Sequence, residues 1–407
     1  MPAGDAIPGD DAHGDGTHTG RFLVVIGLSR WVGNVMLRFP YVLITPLSAG
    51  LGISIPTATA LLGVRELGGL ASPAAGSIAD RGHERSVMLT LGTVAGVTCL
   101  AIALDPPLWL FAGLMLASGI AKFGYDTAQS AWIGHNIAFH RRGMTFGLIE
   151  AGWAFAFLIG GPLCAWLTSR YGWRAPFALV GVLWLVGTVA VRLVMTRDRP
   201  EAGSPVAGLG SLVRWRPPAG TGGLYLYAVL QPFCQMFVFA VAGDWFVTNL
   251  GMSLSGLGWN TTLIGISELV GTVATAWTSD RFGKRRGAIA GLMVVIPAAA
   301  ALTLVGNRAV LGVALLCVYA AGIEFSFVSA LPLFSEVDPD ARAAALGAMI
   351  ALATMSRAVS AAIAGWVFVR AGIGAIGWVA AALSLAAVVA LVASHEPAHA
   401  GPVSRRP

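Results

Sequence analysis

The stretch RDRPEAGSPVAGLGSLVRWRPPAG, residues 197–220, is the longest polar break between apolar runs, and it falls near the middle of 407 residues. Arg197, Asp198, Arg199, Glu201, Arg214 and Arg216 charge it, and Pro200, Pro205, Pro217 and Pro218 oppose a helix. Outward from it on both sides lie apolar runs of the ~20 residues that a helix needs to cross ~30 Å of hydrocarbon. Those before it are 21–48, 56–79, 86–104, 107–134, 144–169 and 175–196; those after it are 222–249, 256–279, 287–305, 309–334, 342–369 and 374–394. The reading is an all-α membrane protein with twelve transmembrane helices in two pseudo-symmetric six-helix bundles, 21–196 and 221–394, joined by the linker 197–220.

Composition agrees. Hydrophobic residues make up 56% and charged residues 11%, where a soluble domain carries about 25% charged, and the mean hydropathy is +0.74. A soluble globular protein is excluded, and long unbroken runs exclude a β-barrel, which alternates. The net charge of +6 does not indicate nucleic acid, because the basic residues fall in short loops and form no single solvated face. Cys99, Cys164, Cys234 and Cys317 lie inside apolar runs without C-x-x-C spacing, so neither a metal site nor a disulfide framework is expected.

Arginine and lysine set the expected orientation. Seventeen of them, among them Arg21, Arg81, Arg141, Arg197, Lys284 and Arg405, fall on one side of the predicted spans, against Arg170, Arg174, Arg308 and Arg370 on the other. Positive charge accumulates in cytoplasmic loops. Both termini and the linker are therefore expected in the cytoplasm of a multi-pass inner-membrane protein. Residues 1–20, rich in Gly, Asp and His and without the features of a cleavable signal, read as a disordered cytoplasmic tail, and 395–407 as a second tail.

The halves repeat. Asp80-Arg81 recurs as Asp280-Arg281, Glu66-Leu67 as Glu268-Leu269, and Gly119-Ile120 as Gly322-Ile323, at offsets of 200 to 203 residues, the pattern of a transporter built from two similar units.

With these residues in place the chain resembles the major facilitator superfamily over residues 21–394. The loop between helices two and three of that family, G-x-x-x-D-R-x-G-[RK]-[RK], is similar to Asp280-Arg281-Phe282-Gly283-Lys284-Arg285, with Ala276 at the leading glycine, and to Gly76 through Arg85, where His83 takes the second glycine's place. Gly172-Trp173-Arg174-Ala175-Pro176-Phe177 is similar to another family feature. The resemblance implies that Asp80, Arg81, Asp280 and Arg281 act in a cytoplasmic gate, and that helix one lines a central cavity. Gly161-Pro162 resembles a fragment of a motif of the family's exporters and leans toward efflux. A proline kink packed on a neighbouring helix explains it equally well.

Eleven ionisable residues fall inside the runs: Arg30, Arg38, Arg65, Lys122 and Arg357, with Glu66, Asp126, Glu150, Asp244, Glu268 and Glu324. Each costs at least ~2.5–3.5 kcal/mol near a helix centre, so pairing or a wet cavity is expected. At about 1.5 Å per residue, Arg30, Asp126 and Glu150 share a depth of about 10–13 Å from the inner surface; Arg38, Arg65 and Glu66 lie about 20–26 Å in; Arg357 has Glu268 as its nearest acid. Two readings stand open. These are ion-pair networks holding the bundles together, with Glu66, Glu268 and Arg357 in a gate, or Arg30, Asn34 and Arg38, on one face of helix one, offer donors to an acidic substrate. Trp31, Trp153 and Trp245 are candidates for stacking on a substrate, with packing or interfacial anchoring as the favoured alternative. Glu324, near the midplane, is the candidate proton carrier, with Asp126 and Glu150 behind it; a structural hydrogen bond to a backbone carbonyl or to Tyr319 is the rival reading of Glu324.

The functional expectation is secondary transport of a small organic solute by alternating access, as proton-coupled efflux, with proton-coupled uptake of an organic anion as the alternative. No phosphate-binding loop or G-x-S-x-G occurs, and the H-E-x-x-H spacing of His395 to His399 falls in the C-terminal tail with a helix-opposing Pro397 inside it, so neither ATP drive nor a membrane-embedded enzyme is expected. Expected partners are the substrate, protons and the lipid bilayer, for a monomer without cofactor, metal or nucleic acid.

Overall fold

A computed structural model describes residues 16–137, 145, 149, 151–195, 198, 216–338 and 342–394; for 16–19, 21, 279–282 and 342–344 it describes the backbone alone. Glu150, the tails 1–15 and 395–407 and most of the linker therefore lie outside the described residues, as do the side chains of Asp280 and Arg281.

Helices account for nearly all of the described chain. In order they are α1 (Gly16–Val42, continued by Ile44–Leu51), α2 (55–78), α3 (Glu84–Ala103), α4 (Leu108–Asn136), α5 (Ala151–Tyr171), α6 (Arg174–Val194), α7 (Gly222–Asn249), α8 (Leu254–Phe282), α9 (Lys284–Ala301), α10 (Ala309–Glu336), α11 (342–371) and α12 (373–393). Among the described residues nine helical runs are long and apolar enough to cross a membrane, and two of these, Ile55–Ala103 and Ala345–Ala393, are 49 residues long. A straight helix of that length would measure about 74 Å, more than twice the hydrocarbon layer. Each folds back on itself: the backbone leaves helical geometry at Gly82 (φ 78°) in the first and at Gly372 (φ 69°) in the second.

Local chemistry explains the ends. Ser54 caps α2 by accepting from the Thr57 amide, with Pro56 in the first turn where its missing N–H costs nothing. In the first Asp-Arg turn the glycine stands one place earlier than in the second, yet both copies reverse through a positive-φ glycine, Gly82 and Gly283 (φ 83°). Only glycine adopts that conformation without steric cost.

Contacts between ends show how the helices stack. Arg285 at the start of α9 donates to the carbonyls of Leu391 and Ser394 at the end of α12, and Lys284 pairs with Glu336 at the end of α10. The Asp198 carboxylate, just past α6, accepts from the amides of Arg85 and Ser86 in the first turn of α3 at 2.9 and 3.1 Å. These join one end of the molecule, hereafter the basic end. At the opposite end, Arg174 and Asp105 tie the α5–α6 turn to the α3–α4 turn.

A continuous hydrophobic core holds residues of both halves, from Phe22 to Ala381. Outward faces carry Val186, Leu193, Trp277 and Val310, all exposed, as expected where lipid replaces water. Away from the basic end the halves meet at backbone distance. A Cβ on Gly243 of α7 would lie 2.2 Å from the Val42 carbonyl of α1, so α1 and α7 close on each other there only through glycine.

Candidate functional site

Between the halves lies a cavity of about 370 Å³. The N-terminal half lines it with Arg30 and Asn34 of α1, Lys122 and Asp126 of α4, and Trp153 of α5; the C-terminal half with Gln235 of α7, Glu324 of α10 and Arg357 of α11. Toward the basic end it reaches Ser130, Leu331 and Met349.

The N-terminal wall is built around one carboxylate. Arg30 Nη1 lies 2.6 Å from Asp126 Oδ2, and Lys122 Nζ donates to the same oxygen from one turn away on α4. Gly33 makes room for the lysine: a Cβ there would sit 2.7 Å from Lys122 Cε. Two cations thus meet on one carboxylate oxygen. Beside them Asn34 is 1% exposed, and its amide nitrogen has no hydrogen-bond partner among the described residues. Leaving such a donor buried and unsatisfied costs about 1–3 kcal/mol, so a donor kept at a cavity wall points to something that visits it.

Farther from the basic end two ion pairs cross between the halves. Arg38 of α1 grips Glu268 of α8 with both terminal nitrogens, at 2.6 and 2.5 Å, and donates to the Trp153 carbonyl at 2.9 Å. Arg357 Nε of α11 donates to Glu66 of α2 at 3.0 Å. A hydrogen bond of 2.8 Å from Thr45 to Asp244 adds a third link between halves. Arg65 turns its guanidinium onto the carbonyls of Met36 and Leu37 and lies 3.9 Å from Glu66.

Several residues singled out by sequence come together and others do not. Arg30 meets Asp126. Arg38, placed beside Arg30 and Asn34 as a substrate donor, is engaged with Glu268. Arg357 is paired with Glu66 and not with Glu268, the acid nearest in depth, because depth along a helix does not say which half supplies the partner. Of the tryptophans, Trp153 lines the cavity, Trp31 donates its indole N–H to the Phe155 carbonyl, and Trp245 is buried and stacked on Phe246. Depth alone did not reveal that Lys122 shares Asp126, although their spacing of four on one helix is the signal that finds it.

At the basic end Asp80 is exposed in the turn before α3, next to the Glu84–His135 contact of 2.6 Å. Partial desolvation raises its carboxyl above the ordinary aspartate range; His135 pulls it back and Glu84 adds to the rise. Arg81 follows it in the same turn.

Known proteins share this architecture. The sequence pattern of the Major Facilitator Superfamily matches residues 23–241 and again 224–407. The gallate transporter of Pseudomonas putida is 25% identical over 59% of this chain and 61% of its own length, so the match spans less than two thirds of that protein. The transcription regulatory protein OpdE of Pseudomonas aeruginosa is 25% identical over 89% of this chain and 90% of its own length. The multi-drug resistance efflux pump PmrA of Streptococcus pneumoniae is 24% identical over 54% and 52%. A bacterial homologue of the human lysosomal transporter Spinster, solved inward-facing and unoccupied, superposes with a TM-score of 0.73 at 16% identity over 93% of this chain and 95% of that one.

Proposed function

The chain belongs to the major facilitator superfamily of membrane transporters, and from that premise we propose that it carries a small organic anion together with a proton, by alternating access between two six-helix bundles. The observation that carries this reading is the pair of cations on one aspartate, with the unsatisfied Asn34 amide beside them. A carboxylate at that wall supplies the acceptor that Asn34 lacks, and Arg30 adds a guanidinium shaped for carboxylates.

Proton coupling follows from Glu324 on the facing wall. A cavity of 370 Å³ is about 9 Å across, and two negative charges at that separation repel by about 2 kcal/mol at an effective dielectric near 20. Anion binding is then about twentyfold weaker while Glu324 is ionised, so proton and substrate enter together. Asp126 serves as the anchor of the cation pair. Glu150 stands as a further coupling candidate on sequence grounds alone.

In this reading the basic end faces the cytoplasm, with both termini there, the bundles 21–196 and 221–394 rock about the linker 197–220 as a monomer, and Asp80, Arg81, Asp280 and Arg281 belong to the cytoplasmic gate. Efflux is the second reading, favoured by the similarity to PmrA. Gly161 lends it no separate support, because a Cβ there would lie 2.1 Å from Thr261 Oγ1 of α8, and packing between halves accounts for the glycine.

Counterflow and gradient-driven uptake in proteoliposomes test the proposal. An inward proton gradient should accumulate a labelled organic carboxylate, and unlabelled carboxylate should exchange with it. Transport of cationic or neutral solutes with no carboxylate moved would overturn the anion reading, and net extrusion against uptake decides direction.

A further inference from the structure

Asp244, near the end of α7 remote from the basic loops, is an acid that the transport cycle above does not use. It is 5% exposed, and its carboxyl group lies in the link between the halves. Thr45 of α1 donates to Oδ1 at 2.8 Å, and the Thr248 hydroxyl, one turn along α7, lies 3.5 Å from Oδ2. A hydroxyl has a single proton to give. That of Thr248 goes to the main-chain carbonyl of Asp244 at 2.7 Å, with Asn249 Oδ1 at 3.1 Å as the next acceptor. Among the described residues Oδ2 is therefore left without a committed donor.

No cation compensates this acid. The segments packed around this end of α7, residues 44–51 of α1, 55–64 of α2, 254–267 of α8, 309–323 of α10 and 373–393 of α12, hold no charged residue. Arg38, seven residues before Thr45 and about 10 Å away along α1, is bound to Glu268. Arg65 lies on carbonyls, and Arg357 on Glu66. Glu324 lies farther along α10, and Arg308 and Arg370, at this end of α10 and α11, are exposed. None of them acts on Asp244, whose surroundings are burial and the two hydroxyls. A buried carboxylate without a cation is costly, and such a group neutralises itself by taking up a proton. With a proton on Oδ2 every polar group finds a place: Oδ1 accepts from Thr45, the new O–H donates to the Thr248 oxygen, and Thr248 donates to the carbonyl. Thr248 is exposed, so one hydroxyl separates the carboxyl from the medium. A metal ion fits less well, because 2.8 Å between Thr45 and Oδ1 is the spacing of two oxygens with a hydrogen between them.

We propose that Asp244 is a proton-binding site separate from the central cavity, reached from the side remote from the basic loops, and that the protonated acid on Thr45 keeps α1 and α7 together there. When the halves part, water reaches the carboxyl, the proton leaves, and the charged group resists reburial. Acid on that side therefore holds this end shut, and alkali releases it. The inference rests on alternating access and on neither the solute nor its direction.

Val42→Cys, whose main-chain carbonyl packs on Gly243 beside Asp244, reports the opening of this end to a membrane-impermeant maleimide in proteoliposomes. Between acid and alkaline medium its labelling rate should rise at least tenfold more with Asp244 than with Asp244→Asn, whose amide donates to Thr248 and accepts from Thr45 as the protonated acid does. Ionisation of the thiol, and titration of Glu324, Asp126 or the paired glutamates, is common to both proteins and cancels in the comparison. An equal pH response in the two overturns the site. Should that variant fail to fold, Thr248→Val at its exposed position removes the proton's acceptor and should move the response toward acid; an unmoved response overturns the site as well. Closure by sodium ions in alkaline medium, lost in Asp244→Asn, would assign the site to a metal cation and overturn the proton. Glu268→Gln separates the two levels of the reading. Labelling that rises in it but ignores pH in the parent overturns the proton site and leaves alternating access standing, whereas labelling that neither pH nor any variant changes overturns both.

Discussion

Replacing Glu268 by glutamine should open the end of the protein remote from the basic loops. In this structure Glu268 is 1% exposed and Arg38 6%, and the two are joined by paired bonds of 2.6 and 2.5 Å. Arg38 also lies over the ring of Phe157, 3.3 Å from its centroid, so its charge has little water to turn to. Removing one partner of a buried pair leaves the other uncompensated and costs about 3–5 kcal/mol. The pair joins α1 to α8, so that cost falls on the state in which the halves touch here and is relieved when they part. At about 1.4 kcal/mol per decade the equilibrium shifts roughly a hundredfold to a few thousandfold toward the alternative state. Val42→Cys gives a reporter, because Val42 is 7% exposed behind this contact and reacts with a membrane-impermeant maleimide only after separation. Its labelling rate from that side should rise by at least a hundredfold in Glu268→Gln. The double variant Arg38→Met, Glu268→Met removes both charges and should label within about tenfold of the parent. A rate unchanged by Glu268→Gln would show that the pair does not hold this end shut.

Glu324→Gln should abolish proton-driven accumulation, spare exchange at equal concentrations and make anion binding independent of pH; undiminished accumulation in proteoliposomes removes Glu324 from the coupling. Arg30→Gln and Asp126→Asn act on one shared contact, so their stability losses should fall short of additivity by about 0.5–3 kcal/mol, and a thermal-shift cycle giving additive losses would make the 2.6 Å contact energetically idle. Asp80→Asn should raise the melting temperature at neutral pH. Partial desolvation lifts the Asp80 carboxyl above its ordinary 3.8, so the charged form is penalised above the raised value and the penalty fades as pH falls through it. The advantage of asparagine should therefore shrink toward pH 4, and a stabilisation equally large at pH 4 and 7 would refute the cause.

Much of the fold was legible because a bilayer allows so few solutions: apolar runs of about 20 residues become helices, and the polar stretch at 197–220 divides them. Departures from the expected runs arise at single backbone positions. The runs 56–79 and 86–104 form one helical stretch turned by Gly82, and 342–369 and 374–394 one stretch turned by Gly372. The displaced glycine of the first Asp-Arg turn was visible in sequence; that it reverses the chain as Gly283 does was not, because a dihedral angle is no property of a motif. For the site, spacing and depth brought Arg30 to Asp126, both in the N-terminal half. They did not assemble the cavity, whose walls come from helices of both halves and share no pattern along the chain.

The same limit explains the ion pairs, and it has a mechanical consequence. Glu66 and Glu268 are equivalents under the internal repeat, 202 residues apart, but the positions equivalent to Arg38 and Arg357 are Ala240 and Phe155. The two cross-bundle bridges are therefore not copies of each other. Each half brings one arginine and one glutamate: Arg38 and Glu66 from the N-terminal half, Glu268 and Arg357 from the C-terminal half. Reading by depth grouped the residues within each half, Arg38 with Glu66 and Arg357 with Glu268, whereas the structure pairs them across. If the halves part at this layer, each retains one acid and one base of these four at similar depth that can pair with each other, while Arg65 stays on the Met36 and Leu37 carbonyls. Partner exchange of this kind would leave no stranded ion in either state, which keeps the gap between the two states to the few kcal/mol that a rocking carrier can cross. A layer with both arginines in one half would strand two like charges at every opening.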